Sequence, residues 1–217
     1  IQNRTKTLVK LLIATNNVGK QVEFRALLAG WPGDIVFPQD LDLVLEVEEC
    51  GDSFAEIAAL KARAYARASG LPSLADDSGL EVDALNGAPG IYTARYAGPG
   101  ASDADRYNKL LDALGELPSA QRTARFRCAV ALALPGDAQG KDLEVSVAEG
   151  ICEGLIAFAP RGTNGFGYDP VFYVPRYERT MAELPDRIKN QISHRARAVQ
   201  AAQGMLDELL DRGQGCA

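Results

Sequence analysis

The sequence predicts one α/β domain over residues 1–217, and two observations lead to this fold class. Patterns typical of helices and patterns typical of strands alternate along the chain, and no internal repeat or low-complexity linker divides it. With 217 residues, 47% of them hydrophobic, the chain is long enough to build one full core. We therefore expect a sheet with helices packed against it.

The first third of the chain contains five predicted elements. They are a strand over 8–14, a helix to 29, a strand near 35–37, an alanine-rich helix to 69 and a short apolar strand that ends at 75. The alanine-rich helix has the clearest boundaries. Ser53 and Glu56 form a capping-box pattern at its start, and Gly70 is a typical C-terminal residue.

The same alternation continues after residue 100. Ser102 and Asp105 cap a helix that Gly115 closes. Alternating apolar residues predict strands over 126–134 and 143–147, which together form a hairpin. The remaining predicted elements are strands over 155–159 and 171–174, a helix opened by the capping-box pattern of Thr180 and Glu183, and a last helix introduced by Ser193.

Composition argues against several classes of protein. A net charge of −6 disfavours a nucleic-acid surface, which needs a basic face to displace counterions. The cysteines are far apart, so they predict neither a zinc site nor a disulfide framework and fit a reducing cytoplasm; they are Cys50, Cys128, Cys152 and Cys216. The apolar run 8–14 is too short for a membrane or signal segment. We expect a cytoplasmic protein without a nucleic-acid or membrane partner.

The run LADDSG, residues 74–79, is the most informative stretch of the chain. It places Asp76, Asp77 and Ser78 directly after an apolar strand, and Gly79 is expected to turn the backbone sharply. Open α/β sheets bind ligands beyond such strand ends. Adjacent carboxylates there favour a metal and catalysis. The alternative is an Asx-turn, in which the aspartates only bond their own backbone.

The run TNNVGK, residues 15–20, follows the first strand and nearly matches a P-loop. Ala14 replaces the first glycine, and Gln21 replaces the hydroxyl residue that binds magnesium. Free N–H groups at a helix start, two asparagine amides and Lys20 can still hold a polyphosphate. An ordinary asparagine-rich turn with a solvated lysine is the alternative.

An acidic loop lies just before the alanine-rich helix and contains Glu46, Glu48 and Glu49. Magnesium usually takes one or two carboxylates together with waters and substrate phosphates. The loop is therefore a candidate source of metal ligands, with a solvated acidic loop as the alternative.

Weaker signals lie in the second half of the chain. The run GTNGFGYDP, residues 162–170, has the wrong spacing for a dinucleotide motif, and its two aromatics suggest either a ring-stacking surface or core residues of a packed turn. His194, the only histidine, precedes Arg195 and is either a donor to a nucleobase or a structural residue. Arg95 suits a phosphate contact and a salt bridge equally.

Taken in order, a series of motifs resembles the inosine/xanthosine triphosphate pyrophosphatase family, which hydrolyses non-standard purine nucleoside triphosphates. The motifs are TNNVGK, the pair Glu48 and Glu49, SFAEIAALKA, ADDSGLEVDALNGAPGIYTARYAG, GFGYDPVF and ISHR, and the likeness extends over residues 11–210. The resemblance implies an elongated, mixed, twisted sheet flanked by helices. It also implies two lobes with the active cleft between them, and a homodimer.

The resemblance assigns roles to single residues. Asp77 matches the general base, with Asp76 as a supporting carboxylate. Glu48 and Asp77 match the magnesium ligands, and the choice of Glu48 over Glu49 is the weakest of these transfers. The residues matched to substrate binding are Thr15, Asn16, Asn17, Val18, Gly19 and Lys20 in the phosphate loop, and Ser78, Phe166, Gly167, Tyr168, Asp169, Lys189, His194 and Arg195 elsewhere.

These parts predict magnesium-dependent hydrolysis of ITP, dITP and XTP to the monophosphate and pyrophosphate. A water activated by Asp77 attacks the α-phosphate. Hypoxanthine and xanthine carry an oxygen at position 6 where adenine carries an amino group, so donors such as Arg195 or His194 favour the former. The alternatives are a non-catalytic nucleotide-binding regulator, in which the carboxylates would repel the polyphosphate unless a metal is present, and a dehydrogenase, which lacks its dinucleotide motif.

Overall fold

The computed structural model describes residues 9–136 and 143–214, through which one seven-stranded sheet runs. Its strands are β1 (Lys10–Ile13), β2 (Asp34–Val36), β3 (Ser73–Val82), β4 (Thr123–Ala133), β5 (Val145–Ile156), β6 (Phe172–Val174) and β7 (Arg179–Thr180). Their spatial order is β2-β1-β3-β4-β5-β6-β7. Strand β1 is parallel to β2 and β3, and the later pairings are antiparallel. The mixed sheet is confirmed, and the division into two lobes stays a prediction.

Helices cover both faces of this sheet. They are α1 (Val18–Leu27), α2 (Phe54–Ser69), α3 (Asp103–Leu114), α4 (Asp186–Ile192), α5 (His194–Ala201) and α6 (Gln203–Gln214). Because side chains alternate along a strand, β4 sends one set of residues toward α1, α5 and α6 and the other toward α2. The first set is Cys128, Val130 and Leu132, and the second is Ala129, Ala131 and Ala133. The small second set lets the alanine-rich α2 pack closely on the sheet.

The long strands β3, β4 and β5 connect these layers to a further core region. That region contains Leu80, Phe126 and Phe172, together with Leu110 of α3. Leu74, six residues before Leu80, belongs to the core beside α1. The middle of β3 therefore crosses from one core region to another, and it is there that the acidic residues lie.

One edge of β3 is open at this crossing. Strand β1 pairs with β3 only as far as Leu74, whereas β4 pairs with β3 along its whole length. Hydrogen-bonding direction alternates along a strand, and the Leu74 carbonyl and the Leu80 N–H both bond on the side away from β4. The main chain of Asp76 and Ser78 consequently faces the open edge.

The predicted turn at Gly79 is wrong. Strand β3 continues to Val82 because β4 supplies partners throughout, with Asp76 opposite Val130 and Gly79 opposite Arg127. Glycine is required for a different reason. A Cβ at position 79 would lie 2.5 Å from the Gly90 carbonyl oxygen, so only glycine admits that approach of the backbone.

Other boundaries also differ from the prediction. The hairpin of β4 and β5 is confirmed, but the separate strand over 155–159 is wrong, because β5 itself continues to Ile156. Thr180 and Glu183 form their capping box on a single 3₁₀ turn and not on a longer helix. The last helix is divided near Ala202 into α5 and α6.

Two further observations concern the whole described part of the chain. Cys50, Cys128 and Cys152 are free thiols, whereas Cys216 lies outside the described residues. Within residues 9–136 and 143–214, no helix combines the length and apolar character that crossing a membrane requires.

Candidate active site

A cleft of about 430 Å³ opens where β1 ends and α1 begins. All but three of the predicted site residues line it. Val18 is 72% exposed, with its side chain in solvent. Gly19 packs against the Phe166 ring, where a Cβ would lie 2.6 Å from Cδ1. Glu48 is exposed and its neighbour Glu49 lines the cleft in its place.

The predicted phosphate loop forms the N-terminus of α1. Asn17 is the N-cap, and its side-chain oxygen accepts a hydrogen bond from Lys20 N at 3.0 Å. Thr15 Oγ1 accepts from Asn17 N at 3.2 Å, and the Gln21 side chain donates to the Thr15 carbonyl at 3.0 Å. The first N–H groups of a helix have no acceptor within the helix. This hydrogen-bonded loop therefore presents donors and the positive end of the helix dipole to the cleft.

The adjacent carboxylates of Asp76 and Asp77 point to opposite faces of the sheet, because successive side chains of a strand alternate. Asp76 shares the face of Leu74, beneath α1 and α5, and Asp77 shares the face of Ala75, beneath α2. The two carboxylates consequently have different charged partners, and their pKa values shift in opposite directions.

Asp76 is a buried carboxylate paired with two cations. Its Oδ2 contacts Lys20 Nζ at 3.0 Å and Arg195 Nη2 at 2.9 Å. Burial alone would raise the pKa of Asp76, but these two cations hold that pKa well below its usual range. Ser78 Oγ lies 3.3 Å from the same oxygen. Asp76 thus anchors cations and does not accept a proton near neutral pH.

Asp77 is the carboxylate suited to take up a proton. Burial raises the pKa of Asp77, and Lys61 and Lys20 offset only part of that effect. Lys61 Nζ lies 2.9 Å from Asp77 Oδ1 and 2.6 Å from Glu49 Oε1. Arg95 approaches the other Glu49 oxygen at 3.6 Å. The Lys61 ammonium therefore contacts both Asp77 and Glu49 in the cleft.

A buried network of charges joins Lys189, Asp169, Glu23 and Arg195 at the end of the cleft near Phe166. Lys189 Nζ lies 2.5 Å from Asp169 Oδ2 and 2.7 Å from Glu23 Oε1. The other Glu23 oxygen pairs with Arg195, which is 1% exposed. The Glu23 carboxylate therefore joins the two cations, and the Arg195 guanidinium joins Glu23 to Asp76.

Most of the N–H groups of Arg195 donate hydrogen bonds to other residues of the protein. Its Nε and Nη2 donate to Asp76, its Nη1 donates to Glu23, and Nη2 also donates to Ser78 Oγ at 2.9 Å. A guanidinium has five N–H groups, so within the described part of the chain one N–H, on Nη1, is left for a substrate. Its positive charge is nevertheless next to the cleft.

The aromatic residues of the glycine-rich loop have different roles. Phe166 lines the cleft, with Lys189 Nζ 5.2 Å and Arg195 Cζ 5.8 Å from its ring centroid. Tyr168 is 2% exposed, and its hydroxyl donates to the Thr93 carbonyl at 3.1 Å. Of the two alternatives for these aromatics, the buried position of Tyr168 fits that of a core residue, although it also borders the cleft. Asp169 Oδ2 accepts from Phe166 N at 3.0 Å and shapes the loop from inside.

His194 is a neutral imidazole. Burial, together with Arg195 and Lys189, holds its pKa well below the usual range. Its ring stacks on Phe126 with centroids 4.7 Å apart, and its Nδ1 has no hydrogen-bond partner among the described residues. A neutral imidazole can donate from one nitrogen and accept at the other.

Glu23 and Lys61 were not singled out as site residues, although both carry a signal in the sequence. Glu23 lies three residues after Lys20, so the helix places the two on one face. Lys61 interrupts the apolar stripe of α2, being one helical turn from Ile57 and from Tyr65. A charged residue on a face that must pack against a sheet indicates a buried partner.

Comparison with known proteins shows which sequences this chain resembles. The Ham1 family model matches residues 11–205. A dITP/XTP pyrophosphatase of Geobacillus kaustophilus is 48% identical over 201 residues, which are 93% of this chain and 96% of that protein. A dITP/XTP pyrophosphatase of Vibrio cholerae is 49% identical over 191 residues, or 88% of this chain and 93% of that protein.

Solved structures give the same result for the fold. A HAM1 protein from Coxiella burnetii superposes with a TM-score of 0.81 at 42% identity, covering 93% of this chain and all of that one, 100%. The Ham1 protein of Staphylococcus aureus superposes with a TM-score of 0.79 at 43% identity, covering 92% and 98%.

Proposed function

This chain belongs to the Ham1 family, and on that premise we propose that its cleft hydrolyses dITP, XTP and ITP to the corresponding monophosphate and pyrophosphate. Relatives that cover most of the chain are dITP/XTP pyrophosphatases. The observation that carries the proposal is that Asp77, with its raised pKa, shares the Lys61 ammonium with Glu49 beside the phosphate loop. A buried carboxylate with a raised pKa beside a second carboxylate and a cation suits catalysis better than simple binding of a polyanion.

The triphosphate binds at the N-terminus of α1. Lys20 and Lys61 supply positive charge there, and the helix start supplies backbone donors. In the free protein each lysine is held by a carboxylate, Lys20 by Asp76 at 3.0 Å and Lys61 by Asp77 at 2.9 Å. Both side chains are thus oriented toward the cleft before the substrate arrives.

Asp77 and Glu49 are the residues that would hold a magnesium ion. Their donor set fits, because both carboxylates already contact a single cation, and magnesium is commonly held by one or two carboxylates plus substrate phosphates. The described residues contain no group of three or more such ligands, which agrees with a site that the substrate completes. Held by these residues, such an ion would offset phosphate charge. We propose Glu49 in the role first assigned to Glu48.

The two aspartates of LADDSG have different roles in the proposed reaction. Asp77 accepts a proton from the attacking water, since burial makes it more basic than an ordinary carboxylate. Asp76 stays ionised and keeps Lys20 and Arg195 in place. Environments that separate the pKa values of two carboxylates commonly assign such different roles.

Phe166, His194 and Lys189 form the nucleobase end. The Phe166 ring offers a stacking surface. The cations near it favour a purine with an oxygen at position 6, because Lys189 and Arg195 can donate to that oxygen and cannot accept from an amino group. Neutral His194 can donate to the same oxygen without adding further charge.

We propose two further properties on the ground of the family resemblance. The protein is a homodimer, and it acts in the cytoplasm, where nucleotide pools are cleansed. The free thiols of Cys50, Cys128 and Cys152 support a reducing compartment. Light scattering on the purified protein tests the dimer.

The decisive experiment is a panel of dITP, XTP, ITP, ATP and GTP, with magnesium or with chelator, in which pyrophosphate and orthophosphate are assayed separately. We expect pyrophosphate from the first three nucleotides only, and none in chelator. Orthophosphate as the first product, or full activity in chelator, would contradict the proposal.

A further inference from the structure

One wall of the cleft is formed by residues to which the proposed reaction gives no role. Asp103 and Arg106, on the first turn of α3, both line it. Asp103 Oδ2 accepts a hydrogen bond from Gly167 N at 2.7 Å, and Asp103 Oδ1 pairs with Arg106. Gly167 directly follows Phe166. Asp103 therefore contacts the loop that carries the stacking ring.

This contact orients the main chain next to Phe166. A peptide unit is planar, so the direction of the Gly167 N–H also sets the direction of the Phe166 carbonyl. Gly167 has φ of +65°, and a Cβ there would meet nothing within 4 Å. Glycine adopts that conformation freely but also leaves it easily. An external acceptor is thus a physical means of holding the loop in one conformation.

The acceptor is itself held in place. Arg106 Nη1 donates to the Ala101 carbonyl at 2.8 Å and to the Ala94 carbonyl at 3.1 Å. Next to Gly167, the Tyr168 hydroxyl donates to the Thr93 carbonyl at 3.1 Å. The Phe166 loop is therefore joined at two neighbouring residues to Asp103 and Thr93, which also line the cleft.

We propose that Asp103 is a positioning residue for nucleobase recognition, acting through Gly167 to hold the Phe166 ring at its end of the cleft. The proposal rests on the proposed function for the identity of the nucleotide. Lys20 and Lys61, which bind the phosphates in that function, have Asp76, Asp77 and Glu49 as their partners. Loss of Asp103 therefore weakens recognition of the base and leaves phosphate binding intact.

The test compares Asp103→Ala with Asp103→Asn. Alanine removes the acceptor, and asparagine keeps an oxygen that can accept from Gly167 N–H while losing the charge that pairs with Arg106. We expect Asp103→Ala to raise KM for dITP by about tenfold, the value of losing one hydrogen-bond acceptor, with kcat within about twofold. Asp103→Asn should restore most of the wild-type KM.

Calorimetric titrations separate the base from the phosphates. Binding of a non-hydrolysable α,β-methylene dITP analogue should weaken about tenfold in Asp103→Ala, whereas binding of inorganic tripolyphosphate should be unchanged. Asp105→Asn is the matched control, since Asp105 lies on the same helical turn and bonds Ser102. Its nucleotide affinity should equal that of the wild type.

Several outcomes would overturn the proposal. An unchanged KM in Asp103→Ala, an equal loss of tripolyphosphate binding, or an Asp103→Asn variant as impaired as the alanine variant would each do so. If the wild type released no pyrophosphate from dITP, the proposed function would fail instead. The two titrations would still decide the role of Asp103.

Discussion

Replacing Glu23 by glutamine perturbs the buried charge network at its centre. The network balances three cations against three carboxylates, namely Lys20, Lys189 and Arg195 against Glu23, Asp76 and Asp169. Glu23 is the only one of these carboxylates that contacts both Lys189 and Arg195. The substitution keeps the size of the side chain and removes one negative charge.

The expected loss of stability follows from burial. Glu23 is 8% exposed, and its partners Lys189 and Arg195 are 4% and 1% exposed. Two unit charges about 4 Å apart interact by roughly 4 kcal/mol at an effective dielectric constant near 20. Breaking a buried pair costs about 3–5 kcal/mol, since the cation left behind stays desolvated. Glutamine can still accept one hydrogen bond, and each cation keeps a second carboxylate, so we expect about 3 kcal/mol.

Urea denaturation followed by circular dichroism measures this loss. For a chain of this length, about 3 kcal/mol corresponds to a fall of about 6–12 °C in Tm. Glu144→Gln is the matched control, because Glu144 pairs with Arg212 on the surface, with both side chains more than half exposed. Its effect should lie within experimental error. A loss in Glu23→Gln no larger than in Glu144→Gln would refute the view that burial makes the network stabilising.

Three further perturbations test the site. Asp77→Asn should lower kcat for dITP by roughly 10²-fold or more while the protein stays folded; wild-type turnover by a folded variant would reject Asp77 as the base. Lys20→Met should raise KM for dITP by about tenfold and weaken tripolyphosphate binding equally, and an unchanged KM would make Lys20 a structural partner of Asp76 only. Because burial holds the pKa of His194 well below its usual range, the unfolded chain takes up a proton below about pH 6.5 that the folded chain does not. Stability should therefore be full above that pH and fall by up to about 1.4 kcal/mol per pH unit below it, an effect that His194→Gln should remove; parallel pH profiles for the two proteins would contradict this.

Local signals in the sequence determined much of the fold. Capping residues and glycines located the start of α2 and α3 and the end of α2, because Ser53, Ser102 and Gly70 make their contacts within the same helix end. The alternation of apolar residues predicted the β4–β5 hairpin for the same reason. The order of the motifs along the chain, from TNNVGK to ISHR, also predicts the family, which the family model confirms.

Tertiary structure decided how the site residues are used. Asp76 and Asp77 are adjacent in sequence, yet only the pairing of β3 with β4 places them on opposite faces with opposite pKa shifts. Likewise, Glu49 and not Glu48 reaches Lys61, a matter of how the acidic loop lies against α2. These pKa shifts and contacts depend on residues that are far apart in sequence. A local sequence pattern therefore cannot predict them.

Arg195 shows most clearly what cannot be predicted from the sequence alone. From its charge and its position beside His194, the sequence predicts that Arg195 donates hydrogen bonds to a purine oxygen. The fold surrounds it with Asp76, from β3, and Glu23, from α1. The amino-acid sequence specifies which chemical groups are present. The pKa of each group, and whether its hydrogen-bond donors stay available, depend on burial and on partners far away in sequence. Both arise only when the strands and helices pack together.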